Sequence, residues 1–483
     1  MPIAVRTVHS DKPSFAAASR TSALASLSGK VIVFVSPGYR GKRFVFDKAH
    51  ELGVRSVVID SPGSWTNELI PTGIVEAVLE IDMSSDDDSV FKACVAALSQ
   101  LPRIDGICTF VELSAPLTAR LCERFDVSGH SVSAVAAARD KHLTRKAVQC
   151  TPSTSEYAIK NFLISEGTTE ELHQAAEHVG FPAVLKPVSG AASLGVQKVC
   201  SMEELLTTYH VVSDLVSELI VSSGALERKV RLVTAETDVS PVSPDLFHTN
   251  VSSLSNTAIV LEEYICGQEV DIDMVICDGR VTFSEVSDNG PTVEPYFGET
   301  YNNCPSLLSK SEQKALEEMA FRIATDALGF KSGVFHIEGK LSSNGPRLIE
   351  VNCRMGGGPI RSVHLTRSGV DLVVEQLLIA AGLPAVPDAV PETSRPAIGF
   401  LEVNATRSGS VSTIQFLDRF QNRDGMVYCI PFVAVGEHIV GPEEGQPTWL
   451  AEVLFTRTTA DQASQDSHEM YIELQKLFEE HYV

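Results

Sequence analysis

The residue types best suited to chemistry fall between Val334 and Arg354. Folded as an antiparallel hairpin centred on Asn344, with Ser343-Asn344-Gly345 in the turn, this segment sets Glu338 opposite Glu350 and His336 opposite Asn352. Side chains alternate faces along a strand. One face then carries His336, Glu338, Lys340, Glu350, Asn352 and Arg354; the other carries Phe335, Ile337, Leu341, Ile349, Val351 and Cys353, a set that belongs in a core. Two carboxylates directly opposed across a strand pair repel each other, and a divalent cation between them removes the repulsion. Two carboxylates and an Asn oxygen are hard donors of the kind Mg²⁺ takes, with phosphate oxygens and water completing its shell. Taken alone, the same alternation also describes a solvated polar face over ordinary packing.

Two earlier segments give the hairpin a context. Lys186 ends an apolar run at Phe181–Leu185, and after Pro187 comes Ser189-Gly190-Ala191-Ala192-Ser193-Leu194-Gly195. Small residues let backbone N–H groups approach a phosphate chain, and a Lys at the loop base adds a point charge. The G-x-x-x-x-G-K-[ST] order of a Walker A loop is missing. Further on, Leu261–Glu269 follows the apolar run Ala258–Val260. An extended segment there offers backbone groups to an adenine edge, and Glu269 could accept from both ribose hydroxyls.

The order of these segments is a Lys with a small-residue loop, an acidic strand exit, then a carboxylate/carboxylate/Asn hairpin. In that order the chain resembles the ATP-grasp superfamily, and within it the L-amino-acid ligase and carnosine synthase branch. The stretches Phe181–Val196, Leu261–Glu269, Gly333–Gly339 and Leu348–Gly358 carry the resemblance, which covers roughly residues 30–395. It implies that Lys141 and Lys186 hold the ATP phosphates over Ser189, Gly190, Ser193 and Gly195. It implies that Glu262, Glu263, Tyr264, Ile265 and Glu269 meet adenine and ribose, and that Glu338, Glu350 and Asn352 bind Mg²⁺. Two ions are expected, with Mn²⁺ as a substitute. Arg354 would steady the transferred phosphoryl group, and Glu112 and His336 would recognise amino-acid substrates. Gly356-Gly357-Gly358 leads toward a helix, so its amides could hold a substrate carboxylate.

These groups need a scaffold, and the hydrophobic pattern supplies one. The fold class expected is α/β: an N-terminal parallel-sheet (pre-ATP-grasp) domain, a two-lobed ATP-grasp core and a C-terminal α+β unit. The corresponding spans are a tail at 1–29, then 30–133, 134–395 and 396–483. Strands at Val31–Val35, Ser56–Ile59 and Gly106–Phe110 alternate with helices at Phe44–Leu52 and Ala115–Arg124, the rhythm of a parallel sheet covered by helices. One helix is expected over Ala134–Cys150, and capping boxes at Ser201/Glu204 and Ser309/Glu312 open two more. Asp278-Gly279 reads as a hairpin turn. Residues 222–257 read as a long surface excursion, and 441–447 as a Gly/Pro-rich loop. The loop Thr292–Ser306 is expected to shape an acceptor pocket.

Composition sets the outer limits. The chain has 483 residues, with 39 Lys and Arg against 62 Asp and Glu, a formal charge of −23. That balance argues against general binding to nucleic-acid phosphates. No apolar run nears the ~18 residues of a membrane span. The ten cysteines form no C-x-x-C pair, as expected of free thiols in a reducing compartment. Residues 1–29, with Arg6, Lys12 and Arg20 against Asp11, read as a flexible tail or a weak transit segment. The cytoplasm is the expected compartment, with organellar import through that segment open.

The expected activity is that of an ATP-dependent carboxylate–amine ligase working through an acyl phosphate, with small-molecule carboxylate and amine substrates, amino acids foremost. No nucleic-acid or membrane partner is expected, and a homodimer is one option. Two other classes stay open: an ATP-grasp carboxylase using bicarbonate, and a non-catalytic ATP-binding module.

Overall fold

A computed structural model describes residues 17–190, 193, 195–222, 225–228, 258–295, 297–442 and 447–483. The excursion beyond Arg228, the loop positions Ala191, Ala192 and Leu194, and most of the 441–447 stretch lie outside the described residues.

The N-terminal layer begins with helix α1 (Ala17–Ala25), then β1 (Val31–Val35), α2 (Arg43–Glu51), β2 (Arg55–Asp60), β3 (Ala77–Glu80), α3 (Asp87–Leu98), β4 (Gly106–Cys108) and α4 (Ala115–Phe125). The strands pair in parallel in the order β3-β2-β1-β4. Every residue of β1 is buried, as a strand covered on both faces requires. Residues 17–29, expected as part of a tail, are a correction. Ala23 and Leu27 are buried in the core, and Arg20 is paired with Glu375. Two apolar anchors and one buried ion pair hold this stretch against the domain.

The expected single helix over Ala134–Cys150 is two, α5 (Val132–Arg139) and α6 (Lys141–Cys150). Asp140 leaves helical geometry, and its carboxylate accepts the Leu143 N–H as the cap of α6. An Asp competes for backbone donors in this way and favours a helix start over a helix interior. The break puts Lys141 on the first turn of α6, with its N–H donating to Val188 O.

A small lobe follows: β5 (Asn161–Ile164), α7 (Thr169–Val179), β6 (Ala183–Pro187), β7 (Gln197–Val199), α8 (Met202–Glu218), the hairpin β8 (Leu219–Ser222) and β9 (Ala225–Arg228), and β10 (Ile259–Glu263). Its antiparallel sheet runs β5-β10-β6-β7, which places Lys186 opposite Val260 and Glu262 opposite Val184. The Ser201 oxygen accepts the Glu204 N–H at the start of α8.

The large lobe adds β11 (Gln268–Cys277), β12 (Arg280–Asn289), β13 (Tyr301–Cys304), α9 (Lys310–Arg322), β14 (Gly333–Ser342), β15 (Gly345–Asn352), α10 (Ile360–Ser368) and α11 (Leu372–Ala380). The C-terminal segment contributes β16 (Ala397–Asn404), β17 (Gly409–Ser410), α12 (Asp418–Gln421), β18 (Met426–Pro431), β19 (His438–Ile439), β20 (Trp449–Arg457) and α13 (Ala460–Glu480). One eight-stranded sheet joins the two segments in the order β15-β14-β11-β12-β13-β16-β20-β18. The C-terminal strands therefore extend the core sheet through the β13–β16 pairing. Helix α11 is apolar on nearly all sides and packs into the cluster that also holds β1, α2 and β4. That burial locks the N-terminal layer onto the large lobe.

Among the described residues no helix is long and apolar enough to cross a membrane. All ten cysteines are free.

Candidate active site

The hairpin β14–β15 has the expected pairing where it matters: His336 faces Asn352 and Glu338 faces Glu350. The route to it differs. The turn is tighter, with Ser342 opposite Gly345, and a bulge between Glu338 and Gly339 restores the register. The extra residue, Ile349, consequently leaves the core face to which it was assigned and lines the cavity, while Leu348 is fully buried in its place. A bulge inserts one unpaired residue and re-aims its neighbours in this manner.

A cavity of about 420 Å³ opens between the small lobe and the large sheet. Lys141, Lys186, Gly190, Ser193 and Arg354 line it, as do Glu338, Glu350 and Asn352. The strand exit contributes Glu262, Glu263, Tyr264, Ile265 and Glu269, and the far wall His336 and Gly357. Four expected residues stand outside the lining. Ser189 donates from Oγ to Arg139 O at 3.4 Å, Gly195 backs onto Pro187, and Gly356 packs against His336 and Ile360. Glu112 sits behind the site, 2.9 Å from Arg354 Nε and 3.2 Å from Arg139 Nη1.

The cations are held by buried acids. Glu262 is 2 % exposed, and both its oxygens are taken, by Arg145 at 2.8 and 3.0 Å and by Lys186 Nζ at 2.5 Å. Burial raises its pKa, but Arg145 and Lys186 outweigh that and hold the carboxyl below the usual range. Glu262 thus faces the two cations, and Glu269 is 3.0 Å from Lys340. Tyr264 donates to Glu294 at 2.6 Å, and Lys198 lies 4.2 Å from its ring centroid.

At the hairpin, Glu350 is 3.0 Å from Lys141, and Asn352 Nδ2 donates to Glu338 at 3.1 Å. Burial and the facing Glu350 raise the Glu338 carboxyl to about 8. Burial also raises Glu350, but Lys141 pulls it below its ordinary value. A carboxyl that strained is relieved by a hard cation, so Glu338, Glu350 and the Asn352 oxygen fit Mg²⁺ by donor chemistry and by charge. Among the described residues no three His, Cys, Asp or Glu cluster as a metal cage. Such an ion would depend on ligand oxygens for the rest of its shell.

Several lining residues were not assigned from the sequence, although the 292–306 loop was expected to shape a pocket. Arg145 lies one helical turn beyond Lys141 on α6, the spacing that sets two cations on one face. From the C-terminal segment come Phe400, Glu402, Asn404 and Trp449, and from the 292–306 loop Phe297, Gly298, Glu299 and Asn302. Glu402, a charge inside the apolar run Phe400–Val403, was the one legible hint. Burial and Glu299 push its pKa well above the carboxylate range.

Residues 46–127 match the family model of the ATP-grasp N-terminal domain, and residues 222–362 that of the ATP-grasp domain. The chain is an ATP-grasp protein. It is 29% identical to carnosine synthase 1 of Homo sapiens over 386 residues, covering 76% of this chain and 42% of that protein. With the carnosine synthase 1 of Gallus gallus identity is 30% over 403 residues, covering 81% and 40%. The ATP-grasp chain thus spans about two fifths of the length of these relatives. Alanine–anticapsin ligase of Bacillus subtilis (strain 168) is 28% identical over 264 residues, 54% of this chain and 51% of that one. The solved L-amino acid ligase from Bacillus licheniformis superposes with a TM-score of 0.70 at 19% identity, covering 92% of this chain and 97% of that one. The architecture is therefore that of an ATP-grasp fold, which implies ATP binding.

Proposed function

We propose that this ATP-grasp chain is an ATP-dependent carboxylate–amine ligase of the amino-acid ligase type. The observation that carries the reading is the convergence in one cavity of Lys141, Lys186 and Arg354 with Glu338, Glu350 and Asn352. The names of its relatives, carnosine synthase and alanine–anticapsin ligase, support the class.

Phosphoryl transfer needs positioning and charge neutralisation more than covalent help from the protein. Lys141 and Lys186 meet the phosphates, kept in place by Glu350 and Glu262. Glu338, Glu350 and Asn352 would hold Mg²⁺, which when bound neutralises phosphate charge. Arg354 brings a guanidinium, ion-paired with the buried Glu112 carboxylate at 2.9 Å. It steadies the phosphoryl group as a substrate carboxylate oxygen attacks the γ-phosphorus and ADP leaves. An amine then attacks the acyl phosphate, phosphate leaves with the C–O electron pair, and an amide remains. His336 and Gly357 border the space for the amino-acid substrates. Glu299, Glu402 and Trp449 close its far side.

The test is a matrix of amino-acid pairs with ATP and Mg²⁺, reading phosphate release and product mass. Amide products with matching phosphate support the reading. Phosphate release that needs bicarbonate and no amine overturns it.

A further inference from the structure

Ionisable side chains run in single file from the cavity wall into the core, and the chemistry above uses only the first of them. His336 on β14 lines the cavity. Its Nδ1 is 2.9 Å from Asp273 Oδ1 on β11. The second oxygen of Asp273 is 2.7 Å from His364 Nε2 on α10. His364 Nδ1 then faces Glu285 on β12 at 3.6 Å, and Glu285 is paired with Arg367. Asp273 and His364 are both 0 % exposed.

A file of buried charges is a poor device for stability alone. Each buried ion costs several kcal/mol of desolvation, and well-packed apolar side chains often do as well. Asp273, hydrogen-bonded through both oxygens, fixes the geometry of the two rings that it joins, whereas His364 Nδ1 and Glu285 Oε2 make no hydrogen bond. Here two contacts act on the Nδ1 edge of the His336 ring. Asp273 holds Nδ1. The backbone of Gly356 closes on the same edge so tightly that a Cβ there would stand 2.8 Å from Nδ1. The remaining nitrogen, Nε2, is 3.9 Å from Asp271, too far for a hydrogen bond, and is left for a ligand.

We propose that Asp273, itself held by His364, is a positioning residue that fixes the His336 ring so that Nε2 is presented to the amino-acid substrate. The proposal rests on the ligase reading for the identity of that substrate, and the fixing of the ring can be read without turnover.

The experiment compares Asp273→Asn, His364→Leu and His364→Gln with the unmodified chain. In steady-state kinetics, Asp273→Asn and His364→Leu raise the amino-acid KM about tenfold or more and leave the ATP KM within about twofold, the signature of lost ground-state binding to one substrate. His364→Gln keeps an N–H donor toward Asp273 and stays within about threefold of the unmodified chain. Ring-nitrogen NMR, with His336→Gln supplying the assignment, shows a hydrogen-bonded Nδ1 proton in the unmodified chain and in His364→Gln. That signal moves upfield and broadens in Asp273→Asn, whose amide oxygen is the weaker acceptor, and in His364→Leu, where the carboxylate is no longer held. If Asp273→Asn does not fold, the two His364 variants decide. Equal effects of Leu and Gln, a parallel rise of both KM values, or an unchanged Nδ1 signal overturn the proposal. A chain that turns over no amino acid counts against the ligase reading, and the NMR comparison then decides the positioning role.

Discussion

Glu338 stands directly across the β14–β15 pair from Glu350, with Lys141 3.0 Å from the second carboxylate and Asn352 on the first. Opposed like charges destabilise a sheet, and Glu338, its carboxyl raised to about 8 by burial and Glu350, escapes that by holding its proton near neutral pH. Glu338→Gln keeps that neutral form and removes one hard ligand. Its melting temperature without divalent cations is expected to match or exceed that of the unmodified chain, while Mg²⁺-dependent ADP formation drops on the order of 10²–10³-fold. Thermal melts with and without Mg²⁺, beside an ADP assay, check both halves. Retained turnover would show that the hairpin does not bind the metal.

Glu262 is the counterweight for two cations at once, Arg145 and Lys186. Glu262→Gln leaves them buried beside each other without an anion. Removing one partner of a buried ion pair typically costs about 3–5 kcal/mol. Denaturant unfolding should register a loss of that order, and nucleotide binding should recover part of it, because phosphate restores the missing charge. A loss that ATP leaves untouched would place Lys186 away from the phosphates.

The chemistry of the β14–β15 face was legible because a strand's period of two exposes its register, and acids in an otherwise apolar strand stand out. The reading of Glu338 opposite Glu350 nonetheless reached the right pairing through a turn that is one residue too long, since a bulge left no mark in the residue pattern. Arg145 and Asp273 were not legible as site residues. Each works through a partner far away in sequence, Glu262 for the first, and His336 with His364 for the second. Trp449 was missed for a related reason. Its strand enters the sheet beside β16, and only that long-range pairing brings residue 449 to the cavity.

Gly358 marks the junction between the glycine run and that far wall. Its φ is +50°, and a Cβ built there would stand 2.0 Å from Glu402 Oε1 and 2.9 Å from the Trp449 ring. Gly358→Ala therefore pushes Glu402 and Trp449 into the cavity. The amino-acid KM should rise about tenfold or more with the ATP KM unchanged, since the proposed reading gives the nucleotide to the Glu262–Glu269 strand exit and not to this wall. Equal changes in both constants would mean that this wall does not border the amino-acid space.

His130 gives a pH-dependent stability that is set mainly by its burial. Its ring lies 4.8 Å from Phe330 and 5.6 Å from Phe335, and its Nδ1 has no hydrogen-bond partner. Burial lowers its pKa from 6.5 to about 4. The unfolded chain takes the proton near pH 6.5, whereas the folded chain refuses it down to about pH 4. Between those values the unfolded state binds more protons, so stability falls as pH falls, by on the order of 3 kcal/mol across the window. Unfolding free energies at pH 7 and pH 4.5 for the unmodified chain and for His130→Gln measure the difference. The variant should be the less stable of the two at pH 7 and lose less on acidification. Parallel losses in the two proteins would assign the acid sensitivity to other groups.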